Sequence, residues 1–198
     1  MVLKNVRAKV DTAWTNTKKV LAVMSAWGLI FSLVTICKLG VAFDYDDTLV
    51  FSTPAFAKAF ASVSQPFTPE FWAAVNHAYD IEQPKVLASS LAWMFRAFGF
   101  RVSVICSRPA VEGDALRKEW RRLVAQRDFI FAGDRSQKHL YLSHGNTMLY
   151  FGDSDSDILE ARKAKVFPVR IRRSPKSSYK EDYHPGTMEE WVIPFSEY

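Results

Sequence analysis

Three observations predict an α/β fold in which a doubly wound parallel sheet carries a small helical insertion. Short apolar runs that read as buried strands open at Val41 and recur at Arg101–Cys106, Asp128–Ala132, Thr147–Phe151 and Val166–Ile171. They alternate with helix-compatible stretches of about ten to fifteen residues, the signature of βαβ units. Several of these runs end directly in carboxylates, a lysine region or an arginine, and ligands of open α/β sheets bind outside the carboxyl ends of the strands. An aromatic-rich insertion at about 52–82 completes the picture.

The chain opens with a basic and apolar leader over residues 1–38, before a domain over 39–198. Residues 1–19 are polar and basic, and 20–37 form eighteen uncharged, mostly apolar residues flanked by Lys18, Lys19 and Lys38. That length is the lower limit for crossing a bilayer, and the basic flank would stay cytoplasmic with the rest facing outward. The long basic start and the lack of an A-x-A site argue against a cleaved signal peptide. A periplasmic or membrane-anchored address follows, with a cytoplasmic one left open; a hydrophobic helix packed on the domain or between copies is the other reading.

The first strand runs into Asp44-Tyr45-Asp46-Asp47-Thr48, three carboxylates and a hydroxyl within five residues. Carboxylates so close raise one another's pKa, so a divalent cation or a lysine is expected beside them. After Pro54, the stretch 55–80 holds Phe56, Phe60, Phe67, Phe71, Trp72 and Tyr79, which predicts a helical cap beside the site, either a lid for an apolar substrate group or plain core. Pro84 is expected to open a helix that ends at Gly99. The second strand ends in Cys106-Ser107-Arg108, an amphipathic helix is expected over 111–126, Lys138 lies in a helix-like segment from Asp134 to about Ser143, and the fourth strand runs into Gly152-Asp153-Ser154-Asp155-Ser156-Asp157 ahead of a helix to Lys165.

These strand ends hold what phosphoryl transfer needs: an in-line nucleophile, a proton donor and positive charge over the equatorial oxygens. Asp44 is the expected nucleophile, Asp46 the general acid and base, and Lys138 the counter-charge. Asp44, Asp153 and the main chain of Asp46 would hold Mg²⁺, an ion that prefers oxygen ligands, with Asp157 orienting metal-bound water from behind. Taken singly, Asp153 and Asp157 also suit an ordinary helix N-terminus.

The runs F-D-Y-D-D-T-L-V-F-S-T-P, P-E-F-W-A-A-V-N, F-A-G-D, Y-F-G-D-S-D-S-D-I, V-R-I-x-R, S-x-Y-K and the terminal S-E-Y resemble those of the class B acid phosphatases, bacterial periplasmic members of the haloacid dehalogenase superfamily. The resemblance spans about Gly40 to Tyr198. It implies a Rossmann-like core and a Mg²⁺-dependent, homotetrameric phosphomonoesterase of broad specificity that favours nucleotides and transfers phosphate to other alcohols as a side activity. Asp44, Asp46, Lys138, Asp153 and Asp157 fall on the family's motif positions, and Phe56, Trp72 and Tyr79 on its aromatic cap region. The second motif departs from the family's T-G-R: Cys106 stands where the phosphate-binding hydroxyl is expected, with Ser107 or backbone N–H groups as substitutes and Arg108 retained. A thiol is a poor donor, so weaker phosphate binding is expected.

Net charge separates the remaining alternatives. The formal charge of +5 belongs to residues 1–38, and the remainder holds 20 basic and 20 acidic residues, which removes the general case for nucleic acid. Only the tract 162–180, with eight Lys/Arg and no acid, favours a nucleic-acid-end phosphatase over a solvated edge. A non-catalytic phosphate-binding member is the third reading. Two cysteines, Cys37 and Cys106, make no disulfide framework.

Overall fold

The computed structural model describes residues 2–178 and 182–198, with side chains from Ala13 onward. Its elements in chain order are α1 (Val2–Ile36), β1 (Leu39–Phe43), β2 (Val50–Phe51), α2 (Thr53–Ser62), α3 (Pro69–His77), β3 (Gln83–Pro84), α4 (Val86–Ala97), β4 (Arg101–Cys106), α5 (Asp114–Glu119), β5 (Phe129–Phe131), α6 (Lys138–Ser143), β6 (Asn146–Gly152), α7 (Asp155–Lys163), β7 (Phe167–Ile171) and β8 (Trp191–Ile193). The strands β5-β4-β1-β6-β7-β8 form one sheet in that order, every neighbouring pair parallel. From β1 the chain winds outward through β4 and β5, then returns to the other side of β1 with β6. The crevice at that reversal, above the ends of β1 and β6, is where such sheets bind ligands.

Alternate residues of β1 feed two cores. Val41 and Phe43 point to one face with Val102, Val104 and Phe151, while Ala42 joins Ile105, Tyr150, Leu142 and Ala161 on the other. The Phe43 and Phe151 rings stack at 4.5 Å and 9° across the β1–β6 pair.

Three expectations are corrected. Pro84 does not open a helix: Lys85 is the N-cap of α4, and Pro84 pairs with Val50 in a two-stranded antiparallel ribbon. The helix expected over 111–126 shrinks to α5 and one 3-10 turn, Trp120–Arg122, where Trp120 meets the Tyr45 ring edge-on at 5.7 Å. β7 is not the last strand, because β8 adds a sixth to the sheet; three residues are too few to show a period. The basic and apolar parts of the leader form a single helix, whose segment Ala13–Ile36 is long and apolar enough to cross a membrane. From Ala13 onward it lies almost wholly exposed, yet its last turns touch the domain: Trp27 stacks on Phe98 at 5.2 Å, Val34 is buried and Asn146 Nδ2 donates to the Cys37 carbonyl at 2.6 Å.

Phe43→Ala should cost about 3 to 5 kcal/mol of unfolding free energy, because it removes a fully buried ring from the stack that ties β1 to β6. Urea unfolding checks this; a loss under 1 kcal/mol would mean that the central strand is not held by that pair.

Candidate active site

The two central strands deliver their acids through different turns. The Asp44 N–H donates to the Phe151 carbonyl at 2.8 Å, one step beyond the end of β1. The chain then turns out of the sheet through Asp47, whose φ of +53° is left-handed, with Leu49 N–H closing on the Tyr45 carbonyl at 3.0 Å. At the end of β6, Ser154 caps α7: its hydroxyl accepts from Asp157 N–H, while the Asp157 carboxylate accepts from Ser154 N–H at 3.1 Å. Gly152 is required here, since a Cβ would fall 2.3 Å from the Cβ of Asp157.

Lys138, first residue of α6, sends a buried ammonium between Asp44 Oδ1 at 2.6 Å and Asp157 Oδ1 at 2.7 Å, and the Tyr150 hydroxyl donates to Asp157 Oδ1 at 2.9 Å. Burial alone would push the Lys138 pKa down, but Asp157 and Asp44 hold it well above its ordinary value. Burial drives Asp44 well above the usual carboxylate range against the pull of Lys138. Asp157 is also penalised by burial, yet Lys138 and the bonds from Ser154 bring it below. One charge state follows: Lys138 is cationic and Asp157 is its ionised partner.

Asp44, Asp153 and Asp157 each place an oxygen within 4.8 Å of the others, an all-oxygen set that fits a hard divalent cation. Both Asp157 oxygens are already taken by Lys138, Tyr150 and Ser154, which leaves it fastening Lys138 from behind the cluster. Asp153 accepts from Thr48 at 3.3 Å and from Arg173 Nε at 2.6 Å. The Asp46 carboxylate stands outside this cluster and meets the Arg108 fork, Nε at 3.1 and 3.2 Å and Nη2 at 2.5 Å.

A cavity of about 220 Å³ opens above Asp46, lined by Phe56, Phe67, Trp72, Ser107 and Arg108. Phe56 meets Trp72 edge-on at 6.2 Å and lies 5.3 Å under the Arg108 guanidinium. Tyr79 does not join them. It packs on the main core and lines a separate cavity of about 470 Å³ with Trp93 and Trp120, because the 3-10 turn Ala78–Ile81 carries it past the aromatic cluster of α2 and α3. Cys106 is fully buried and turns its thiol to Asp46 Oδ2 at 3.8 Å; burial pushes its pKa well up, so it is an inert thiol.

The sequence reading missed the cations behind the carboxylates. Lys85 donates to the carbonyls of Asp47 at 2.8 Å and Arg172 at 2.5 Å, and burial pushes its pKa down to about 8. Arg170, fully buried in β7, donates to the Asp153 carbonyl at 2.8 Å, to Asp155 at 2.9 Å and to Glu190 at 2.8 Å. The tract 162–180 is thus only partly a solvated edge, since Arg170 and Arg173 are turned inward. An arginine inside an apolar strand was the signal, for it must find buried partners. Tyr179 and Lys180 of the S-x-Y-K run lie outside the described residues.

No family model matches the chain. It is 32% identical over 179 residues to the class B acid phosphatase of Klebsiella pneumoniae (strain 342), covering 81% of this chain and 73% of that one. The chain belongs to the class B acid phosphatases. The phosphatase is also 31% identical over 186 residues to the class B acid phosphatase of Enterobacter sp. (strain 638), covering 84% and 76% of the two chains. Its fold matches a predicted phosphoglycolate phosphatase from Haemophilus somnus 129PT with a TM-score of 0.53 at 15% identity, over 80% of this chain and 94% of that one. A haloacid dehalogenase hydrolase from Entamoeba histolytica matches with a TM-score of 0.51 at 15% identity, over 78% and 92%. These two likenesses show the fold, the α/β core of the haloacid dehalogenase hydrolases.

Asp47 supplies a pH test of the site. Burial, then Asp153, pushes its carboxyl up to about 6 against the bond from Ser177, and Asp47 Oδ1 is buried without a hydrogen-bond partner among the described residues. A folded pKa above the unfolded value favours the protonated form, so this contribution to stability is present below pH ~4 and lost as pH rises through about 6. Asp47→Asn does not titrate, and in EDTA it should gain on the wild type by up to about 3 kcal/mol between pH 4 and pH 7. Urea unfolding at both pH values checks this; a gap that stays constant would refute it.

Proposed function

We propose that the chain hydrolyses small organic phosphomonoesters, nucleotides among them, through an aspartyl-phosphate on Asp44. The observation that carries the reading is the Lys138 ammonium 2.6 Å from Asp44 Oδ1 with Asp153 and Asp157 converging on the same point. Asp44 attacks phosphorus in line as the ester P–O bond breaks, and Asp46 gives the leaving oxygen its proton. Asp46 then takes a proton from water as that water attacks the phosphoryl group, releasing phosphate and restoring Asp44. An alcohol in place of water gives phosphate transfer.

Lys138 supplies positive charge against the phosphoryl oxygens, and Ser107 with the neighbouring backbone takes up the phosphate where Cys106 is a poor donor. Phe56 and Trp72 are placed to hold a base or other aryl group against Arg108. Mg²⁺ fits the oxygen donors Asp44 and Asp153 and the Asp46 main chain; when bound, it adds charge over the phosphoryl group. The exposed apolar helix near the N-terminus supports an outward-facing, membrane-attached or periplasmic address, and a homo-oligomer, a tetramer by the resemblance, belongs to the same reading. The inward turn of Arg170 and Arg173 weakens the nucleic-acid-end alternative, since those charges are spent on Asp153, Asp155 and Glu190.

Asp44→Asn should lower phosphate release from p-nitrophenyl phosphate and from a nucleoside monophosphate by at least about 10³-fold in Mg²⁺, as EDTA should for the wild type. A folded Asp44→Asn protein that retained a tenth of the wild-type rate would remove Asp44 as nucleophile. Cys106→Thr should raise kcat/KM by up to about tenfold, the worth of one regained neutral hydrogen bond. Unchanged kinetics would assign the phosphate's hydrogen bonds to Ser107 and the backbone instead.

A further inference from the structure

Tyr45, Glu82, Arg108 and Asp46 form one buried chain of hydrogen bonds that reaches beyond the roles above. The Tyr45 hydroxyl donates to Glu82 Oε2 at 2.5 Å, and Arg108 Nη2 donates to Glu82 Oε1. The same guanidinium gives Nε and Nη2 to Asp46 at 3.1 and 2.5 Å. The Glu82 and Arg108 side chains are each 1% exposed. Two rings pack against the guanidinium, Tyr45 at 5.0 Å and Phe56 at 5.3 Å from its central carbon.

A guanidinium paired on one edge alone can pivot about its stem and take its partner carboxylate with it. One that is paired to two carboxylates and packed against two rings cannot. Glu82 follows the 3-10 turn that ends the insertion, so the group that holds Arg108 comes from the cap and not from the turn after β4 that carries Arg108. Tyr45, between Asp44 and Asp46 in the chain, fixes the second oxygen of Glu82.

We propose that Glu82, backed by the Tyr45 hydroxyl, is a positioning residue: it fixes the Arg108 fork and thereby the orientation from which the Asp46 carboxylate meets the leaving oxygen. The proposal rests on the reading of Asp46 as general acid. It makes the cap a part of the acid's geometry as well as a cover for the substrate.

Leaving groups separate this role from a structural one. Nitrophenolate departs without a proton, whereas an alkoxide needs one as the P–O bond breaks, so only the alkyl ester depends on a well-placed acid. The test is kcat/KM for p-nitrophenyl phosphate and for glycerol 1-phosphate, at fixed Mg²⁺, in the full chain and in Glu82→Gln, Tyr45→Phe and Asp46→Asn. Glu82→Gln should lose about 10- to 100-fold on the alkyl ester and several-fold less on the aryl ester, with Tyr45→Phe smaller and in the same direction. Asp46→Asn should show the widest gap between the two esters. Equal losses on both esters in Glu82→Gln and Tyr45→Phe, beside a wide gap in Asp46→Asn, would overturn the proposal alone. Equal losses in Asp46→Asn would overturn the general-acid reading and the proposal with it. If Glu82→Gln does not fold, Tyr45→Phe, which loses one hydroxyl, decides the matter by the same ratio.

Discussion

Lys138 holds its ammonium between Asp44 and Asp157 in a place where an unmatched charge would be very costly, and most of the site's architecture follows from keeping that group matched. Asp157 must lie close behind Asp44, so α7 has to begin on top of the end of β6. That closeness requires Gly152, whose missing Cβ leaves room for the Asp157 side chain. It also explains the reciprocal cap between Ser154 and Asp157, which fixes the carboxylate while satisfying the start of the helix. Tyr150, on the face of β6 opposite Phe151, completes the set with its hydroxyl.

Two segments from different parts of the chain close over the strand ends. The cap brings Phe56, Trp72 and Glu82 to the Asp46 side, and the segment after β7 brings Arg173 and Ser177 to the Asp153 and Asp47 side. Lys85 joins them, since one ammonium binds the carbonyls of Asp47 and Arg172 and so ties the turn after β1 to the segment after β7. β8 then covers β7, and the Glu190 that leads into it neutralises Arg170. The sixth strand therefore has an electrostatic purpose besides closing the sheet.

What was legible in the sequence was whatever local pattern dictates. Strand and helix alternation gave the parallel sheet, and the acids at the strand ends marked Asp44, Asp46, Asp153 and Asp157 because such crowding has few structural uses. Lys138 needed the family's motif order, since a lysine on a short helix carries no signal of its own. Glu82, Lys85 and Arg173 were invisible for a different reason: each acts on a partner 20 or more residues away, and a solvated residue would look the same in sequence. Trp120 ended its helix early because packing on Tyr45 outweighed local propensity. Tyr79 was misplaced because spacing within the insertion cannot tell which side of the Tyr45–Glu82 wall a ring will take.

The charges around the crevice explain why burial raises some of these carboxyls and lowers others. Among the described residues, Asp44, Asp46, Asp47, Asp153, Asp157 and Glu82 face Lys85, Arg108, Lys138 and Arg173, two fewer positive charges than negative ones. Burial favours the protonated form of Asp47, pushed up to about 6, of Asp44, whose single ammonium is shared with Asp157, and, against the pull of their arginine partners, of Asp153 and Glu82. A divalent cation among these oxygens would supply the missing charge and displace those protons, so its affinity must rise with pH across the range in which they titrate.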